Sequence, residues 1–239
     1  MWMICKKEWR QFFSSLSGYI AVIVFLLLNG LLLFVFPNTS LLDFGYASLD
    51  GFFSLAPWVL LFLVPVVTMR SIADEYKAGT FELLKTMPLR SLQIVWGKFL
   101  GSLLIVMLAL VPTVIYALSL QALSAVGGID TGSTIGSYLG LLLLGAVFTA
   151  VGICASSFTN NTVIAFITGG FICFLLFNGF EAVSKLPVFA NAGYYIEMLG
   201  IAFHYHNISK GVIDIRDIIY FAGLIIVFIT ITKKNLDNK

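Results

Sequence analysis

Arg70-Ser-Ile-Ala-Asp-Glu-Tyr-Lys-Ala-Gly-Thr-Phe-Glu-Leu-Leu-Lys-Thr-Met-Pro88 separates two long apolar stretches, and its reading decides the fold. Nine of its nineteen positions are charged or carry an aliphatic hydroxyl, in a chain of which only 11% is charged. A chain that leaves an apolar environment so briefly, and fills the excursion with a patterned segment, is presenting a docking surface. Ser71 to Lys77 is long enough for one or two helical turns, and Gly79 is a natural helix stop. Thr80 can then cap a second helix, with Glu82 complementing the positive end of its dipole. On that helix Phe81 and Leu84 share a face, with Leu83 and Met87 beside them, pointing away from Glu82 and Lys85. Pro88 closes the unit.

Outside this segment the chain is built for lipid. Its mean hydropathy is +1.00. It is 59% hydrophobic, with 22 Phe among 239 residues, values that no soluble domain carries. Stretches of about 18 or more apolar residues mark membrane helices. Five lie near 19–36, 52–69, 99–120, 136–158 and 163–180, and a shorter one near 218–232 extends into Arg216 and Lys233, whose stems snorkel to the interface. The expected fold is all-α, one six-helix transmembrane bundle over residues 1–239 with no soluble domain.

Charge sets the orientation. With the N-terminus inside, eleven Lys and Arg residues fall on the cytoplasmic side, and only Lys185, Lys210 and Arg216 fall outside. Asp43, Asp50, Asp130, Glu181, Glu197, Asp214 and Asp217 then lie outside, and both termini are cytoplasmic. The net charge of +2 includes no basic patch of the size that nucleic acid requires.

Residues 1–18 read as a helix lying in the inner interface. Trp2, Cys5, Trp9, Phe12, Phe13 and Leu16 form one stripe, and Lys6, Lys7, Arg10, Ser14 and Ser17 face anionic membrane lipid opposite it. The apolar run that follows is too long for a signal-peptide core, and Phe36-Pro-Asn-Thr-Ser offers no cleavage site.

Little chemistry lies inside the spans. No charged residue or His sits near the middle of any of them, which argues against a proton-driven transporter. Asn29 and Asn178 read as hydrogen-bonding glue between helices, with a polar groove as the alternative. Gly97-x-x-x-Gly101 and Gly136-x-x-x-Gly140 permit close helix approach. Pro57, Pro65 and Pro112 interrupt their helices' hydrogen bonding. No P-loop, Gly-x-Ser-x-Gly or His-Glu-x-x-His motif occurs, so no catalytic residues are assigned and no cofactor is expected. Cys5, Cys154 and Cys173 lie far apart and imply neither disulfide nor metal site. His204-x-His206 has no third ligand and reads as a surface pair at the outer interface.

Residues 181–217 form the longest outer excursion, too apolar for a free loop. Tyr194 to Phe203 suit a short helix dipping into the outer leaflet and packing over the ends of the spans.

Two segments carry a family resemblance. Arg70, Ser71, Ala73, Glu75, Gly79, Thr80, Glu82, Leu84 and Pro88 match, at their spacing, the signature of ABC-2-type permeases, the membrane subunits of ATP-driven transporters. The stretch from His206 to Phe221 resembles a second signature, found in the subgroup that includes copper-processing and gliding-motility-associated transporters. This chain departs from it with Lys210 where Arg is usual and with His206 one residue nearer.

The resemblance implies a half-transporter with an interfacial N-terminal helix, a cytoplasmic coupling helix within 70–90 and a re-entrant outer segment. It implies that Glu75, Gly79, Thr80, Phe81, Glu82, Leu84, Met87 and Pro88 engage a separate P-loop ATPase. Its further partners would be a second permease copy or paralogue and, in the gliding-motility subgroup, an accessory membrane-anchored protein with an outer domain. Copper processing, export of lipid, polysaccharide or drug, and a non-transporting membrane anchor are the alternative roles.

The charge bias makes a topological prediction. In a background lacking the native cysteines, Asp50→Cys, Asp130→Cys and Lys185→Cys should react with an impermeant thiol reagent in intact cells. Reaction at Lys77→Cys and Lys234→Cys instead would invert the orientation.

Overall fold

The computed structural model describes residues 2–34, 49–81, 90–124, 130–187, 193–212 and 214–238, and these are helical with no strand. Helix α1 (Trp2–Ser14) meets α2 (Leu16–Phe34) at an elbow where the axis turns by 75°. Gly18 allows that turn, because a Cβ there would sit 2.3 Å from the Phe12 carbonyl oxygen. Helix α3 (Asp50–Thr68) carries Pro57 and Pro65, and the short α4 (Ala73–Lys77) follows. Helix α5 (Ser91–Leu110) passes through a 3₁₀ turn at Val111–Thr113, where Pro112 lacks the amide an α-helix needs, into α6 (Val114–Leu123).

The longest helix is α7 (Thr131–Phe158), capped by Asp130, whose carboxylate accepts from the amides of Gly132 and Ser133. Asn161 caps α8 (Thr162–Phe174) in the same way, at 2.9 Å from the Val163 amide. A π-helical turn at Leu175–Gly179, which contains Asn178, leads into α9 (Phe180–Ser184). Then come α10 (Gly193–Glu197), α11 (Ile201–Ser209) and the terminal α12 (Ile215–Asn238).

Five stretches are long and apolar enough to cross a bilayer: Asp50–Lys77, Ser91–Ala122, Thr131–Phe158, Thr162–Ser184 and Ile215–Asn238. The α1–α2 pair, bent by 75°, makes a sixth where the two helices are counted as one span. The centre of the bundle is α7, with 83% of its apolar window buried against 22% for the α8 and α12 stretches. It packs against α3, α5, α8, α11 and α12. Its 28 residues span about 42 Å at ~1.5 Å per residue, more than the ~30 Å hydrocarbon layer, so its polar ends reach both interfaces.

Small residues decide how closely these helices approach. A Cβ on Gly101 would lie 2.8 Å from Glu8 Cβ, so this glycine seats α1 on α5. Gly136 and Gly140 receive α11, with the Ile208 carbonyl 3.0 Å and Tyr205 Cε2 3.3 Å from their built Cβ positions. Both small-residue faces are therefore used within the chain. Gly152 accepts Thr68 in the same manner.

Helix α1 turns Ile4 and Cys5 into the bundle, where the Gly101 notch receives Glu8, and leaves Trp2 73% and Leu16 77% exposed. Two expectations need correction. Asn29 is buried, but its amide donates to Phe25 O in its own helix at 2.8 Å and so glues no helix pair. Tyr194 to Phe203 belong to two helices and not one, because Gly200 adopts an extended ψ of 142° between α10 and α11.

Filling the Gly101 notch tests this packing. Gly101→Leu should force α1 off α5 at a cost of about 1–3 kcal/mol, as overpacking does in close-packed interiors. The measurement is thermal unfolding of the detergent-purified protein, and an unchanged midpoint would contradict the α1–α5 contact.

Candidate functional site

The segment after α3 is held at one end of the bundle by polar contacts that arrive from three other helices. Ser156, fully buried near the end of α7, accepts hydrogen bonds from the Ile72 and Ala73 amides at 3.1 and 3.0 Å. Its hydroxyl donates to the Met69 carbonyl at 3.0 Å. The first amides of α4 have no partner within that helix, and Ser156 caps them from outside. Asn235 of α12 binds the next residue, donating to Ser157 O at 2.7 Å, so α12 is fastened to the same end of α7.

Four charges meet beside this cap. Lys98 Nζ lies 2.7 Å from Glu8 Oε1 and 3.0 Å from Glu75 Oε1, and Lys7 Nζ lies 2.8 Å from the same Glu75 oxygen. Lys98 also donates to the Ser71 carbonyl. The Lys98 side chain is 1% exposed, Glu75 8% and Glu8 11%, whereas Lys7 at 49% reaches water. Two cations balance two anions, which is the condition under which buried ionised groups persist. The cluster joins α1, α4 and α5, elements brought together from opposite ends of the N-terminal half. Burial, and then the nearby Glu8 carboxylate, raise the Cys5 thiol, which keeps it protonated and inert.

Gly79 ends α4 with φ +66°, in the left-handed region that glycine adopts without strain. The Thr80 amide reaches back to Glu75 O at 3.0 Å, so the chain reverses direction there. The reversal carries Phe81 inward, where its ring meets Tyr76 at 4.7 Å between centroids in the cluster of Ile72, Ile94, Val95 and Phe99.

Two of the expected docking residues thus lie differently from their sequence reading. Glu75 turns to the chain's own lysines, and Phe81, 7% exposed, fills the chain's own core. Glu82, Leu84, Met87 and Pro88 lie outside the described residues. Sequence reasoning missed Glu8, Lys98, Ser156 and Asn235. Lys98 was placed just before its span, but α5 begins at Ser91, which sets Lys98 two helical turns inside.

The opposite end carries a second polar lock. His204 is buried, which corrects the surface reading of His204-x-His206, although His206 itself is exposed. His204 Nδ1 lies 2.6 Å from Asp217 Oδ1, and Nε2 lies 2.9 Å from the Met198 carbonyl. A carbonyl only accepts, so Nε2 donates. The imidazole stacks on Tyr220 at 3.9 Å, and the Tyr220 hydroxyl donates to Leu199 O. Tyr205 of α11 donates to Phe53 O of α3 at 2.6 Å. Gly211, at φ +82°, turns the chain against Ser133 and into α12. No group of three or more metal-ligating side chains occurs among the described residues.

Residues 50–232 match the family model described as ABC-2 family transporter protein. No curated protein sequence matches the chain.

The ionic cluster yields a stability prediction. Lys98→Met leaves Glu75 with Lys7 alone and Glu8 without its cation, and should cost roughly 3–5 kcal/mol, while adding Glu8→Gln should recover a substantial part. Unfolding midpoints of the single and double variants measure this. A single variant within about 1 kcal/mol of the parent would contradict the cluster.

Proposed function

Because the chain belongs to the ABC-2 transporter family, as a multi-pass permease component without ATPase activity, we propose that its 70–90 segment is the site at which a partner ATPase docks. Permeases of this family generally pair with an ATPase subunit. What supports the placement is the rigid mounting of the segment's first half. Ser156 caps α4, Lys98 and Lys7 hold Glu75, and Phe81 plugs the core behind the turn at Gly79. A docking element has to transmit displacement to the spans, and an element tied to α1, α5 and α7 does so, whereas a loosely tethered loop does not.

In this reading Glu75 and Phe81 act from behind, as positioning residues. Glu82, Leu84 and Met87 carry the contact, with Leu84 and Met87 as apolar anchors and Glu82 on a polar rim. Gly79 and Thr80 form the turn that sets the second half of the segment, and Pro88 ends it. The segment and both termini face the cytoplasm, in agreement with the excess of Lys and Arg on that side.

The working unit in this reading is two permease copies, or this chain and a paralogue, over two ATPases. The exposed faces of α1, α2 and α8 form the seam, because Gly101, Gly136 and Gly140 are already occupied within the chain. The finer role, on the resemblance of residues 206–221, is that of the gliding-motility-associated permease of Bacteroidetes, F subunit, with an accessory membrane-anchored partner.

The test uses the complex of this chain captured with its P-loop ATPase partner. Leu84→Asp should weaken ATPase retention about thirtyfold, the equivalent of ~2 kcal/mol at an interface anchor, while the unfolding midpoint of the permease stays unchanged. Native mass spectrometry of the parent complex should show two permeases and two ATPases. Wild-type retention by Leu84→Asp would show that the segment is not the docking site.

A further inference from the structure

A polar cavity of about 260 Å³ lies inside the α1–α2 elbow, walled by α1, the end of α3, α4 and α5. Ser71 lines it and is itself 5% exposed, yet its Oγ has no hydrogen-bond partner among the described residues. A buried hydroxyl costs free energy unless something in the cavity satisfies it. Arg70 and Gln11 line the same space. A shallow basic face continues outward from it along α1, carrying Lys6, Lys7 and Arg10, and the two share Gln11 and Ser14.

An apolar groove of about 350 Å³ runs from the cavity along α2 and α3, between Ile20, Val24 and Leu28 on one side and Val59, Phe62 and Val66 on the other. Val66 lines both cavity and groove. From Ile20 to Leu28 the groove is about 12 Å long at ~1.5 Å per residue, close to the ~15 Å depth of one leaflet's hydrocarbon.

We propose that the cavity and groove together bind one anionic glycerophospholipid, with its phosphate at Arg70 and the basic face of α1 and one acyl chain in the groove. Charge and polarity change along the site in the order of the parts of such a lipid. Cations lie where the phosphate sits at interface depth, neutral hydrogen-bonding groups beside them, and hydrocarbon beyond. The cavity contains two acids. Glu8 is engaged by Lys98, and Asp74 faces the region of a headgroup's hydroxyls, from which it accepts. Arg70, Lys6 and Arg10 favour a lipid of net negative charge, so phosphatidylglycerol, whose hydroxyls also donate to Asp74, fits better than zwitterionic phosphatidylcholine. Bound there, the lipid satisfies Ser71 and fills the angle between α1 and the start of the 70–90 segment. Only the naming of its leaflet as the inner one rests on the orientation proposed above.

The experiment is native mass spectrometry of the full-length, delipidated chain titrated with phosphatidylglycerol or phosphatidylcholine of matched acyl chains. One phosphatidylglycerol per chain should be retained, about fivefold more tightly than phosphatidylcholine, the discrimination one interfacial Arg supplies. Arg70→Gln should narrow the difference between the two lipids, and adding Lys6→Gln and Arg10→Gln should abolish it. Val24→Trp, which fills the groove from its exposed wall, should lower retention of both, whereas Ile226→Trp on the exposed face of α12 should leave it unchanged. Equal retention of the two lipids by the parent chain would mean that no headgroup is recognised, and would overturn the proposal. Equal effects of Val24→Trp and Ile226→Trp would overturn it as well.

Discussion

A lysine ammonium removed from water on all sides has to be surrounded by acceptors, and Lys98 meets that requirement only if three separate parts of the chain come to it. Glu8 arrives from α1, Glu75 from α4 and the Ser71 carbonyl from the turn between α3 and α4. The geometry of the whole 70–81 region follows. Once Glu75 is fixed, the turn at Gly79 and the inward position of Phe81 are determined within narrow limits, and α1 cannot lift from α5 without stripping Lys98 of a partner. Desolvating such charges costs several kcal/mol per ion, so the cluster's main contribution is to specify an arrangement, since any alternative leaves a charge unpaired.

The two ends of the bundle solve the same problem with different chemistry. At one end Ser156, Ser157 and Asn235 join α7, the start of α4 and α12. At the other, His204, Asp217, Tyr220 and Tyr205 tie α11 to α12 and α3. Between them α7 is packed through small residues, with Gly136 and Gly140 at one end and Gly152 near the other. A long helix with polar locks at both ends suits a mechanical spine in a family whose permeases generally pair with an ATPase subunit.

The sequence made the membrane architecture readable, because charge and hydropathy act locally and residue by residue. The stop at Gly79 was readable for the same reason. What escaped was every interaction between residues distant in the chain. Glu8 and Lys98 are separated by ninety positions, and nothing in either local pattern points to the other. Lys98 also misled directly, since an 18-residue apolar window excludes a lysine and so trimmed the start of α5. Phe81 reads from sequence as an outward knob on a second helix, but the turn at Gly79 carries its ring against Tyr76 and into the chain's own core. His204 looked like a surface residue because its partner, Asp217, lies thirteen positions on, beyond the turn at Gly211. The stretch 206–221 that carries the second resemblance contains Asp217 and Tyr220, both of which meet the His204 imidazole.

The claim that most of this rests on is that Lys98 holds α1 and the 70–81 region in place. Hydrogen–deuterium exchange of the purified chain, comparing the parent with Lys98→Met, tests it most directly. Faster exchange should be confined to α1 and to the amides of residues 71–80, with α11 and the middle of α7 unchanged. Unchanged protection across α1 and residues 71–80 would contradict the account.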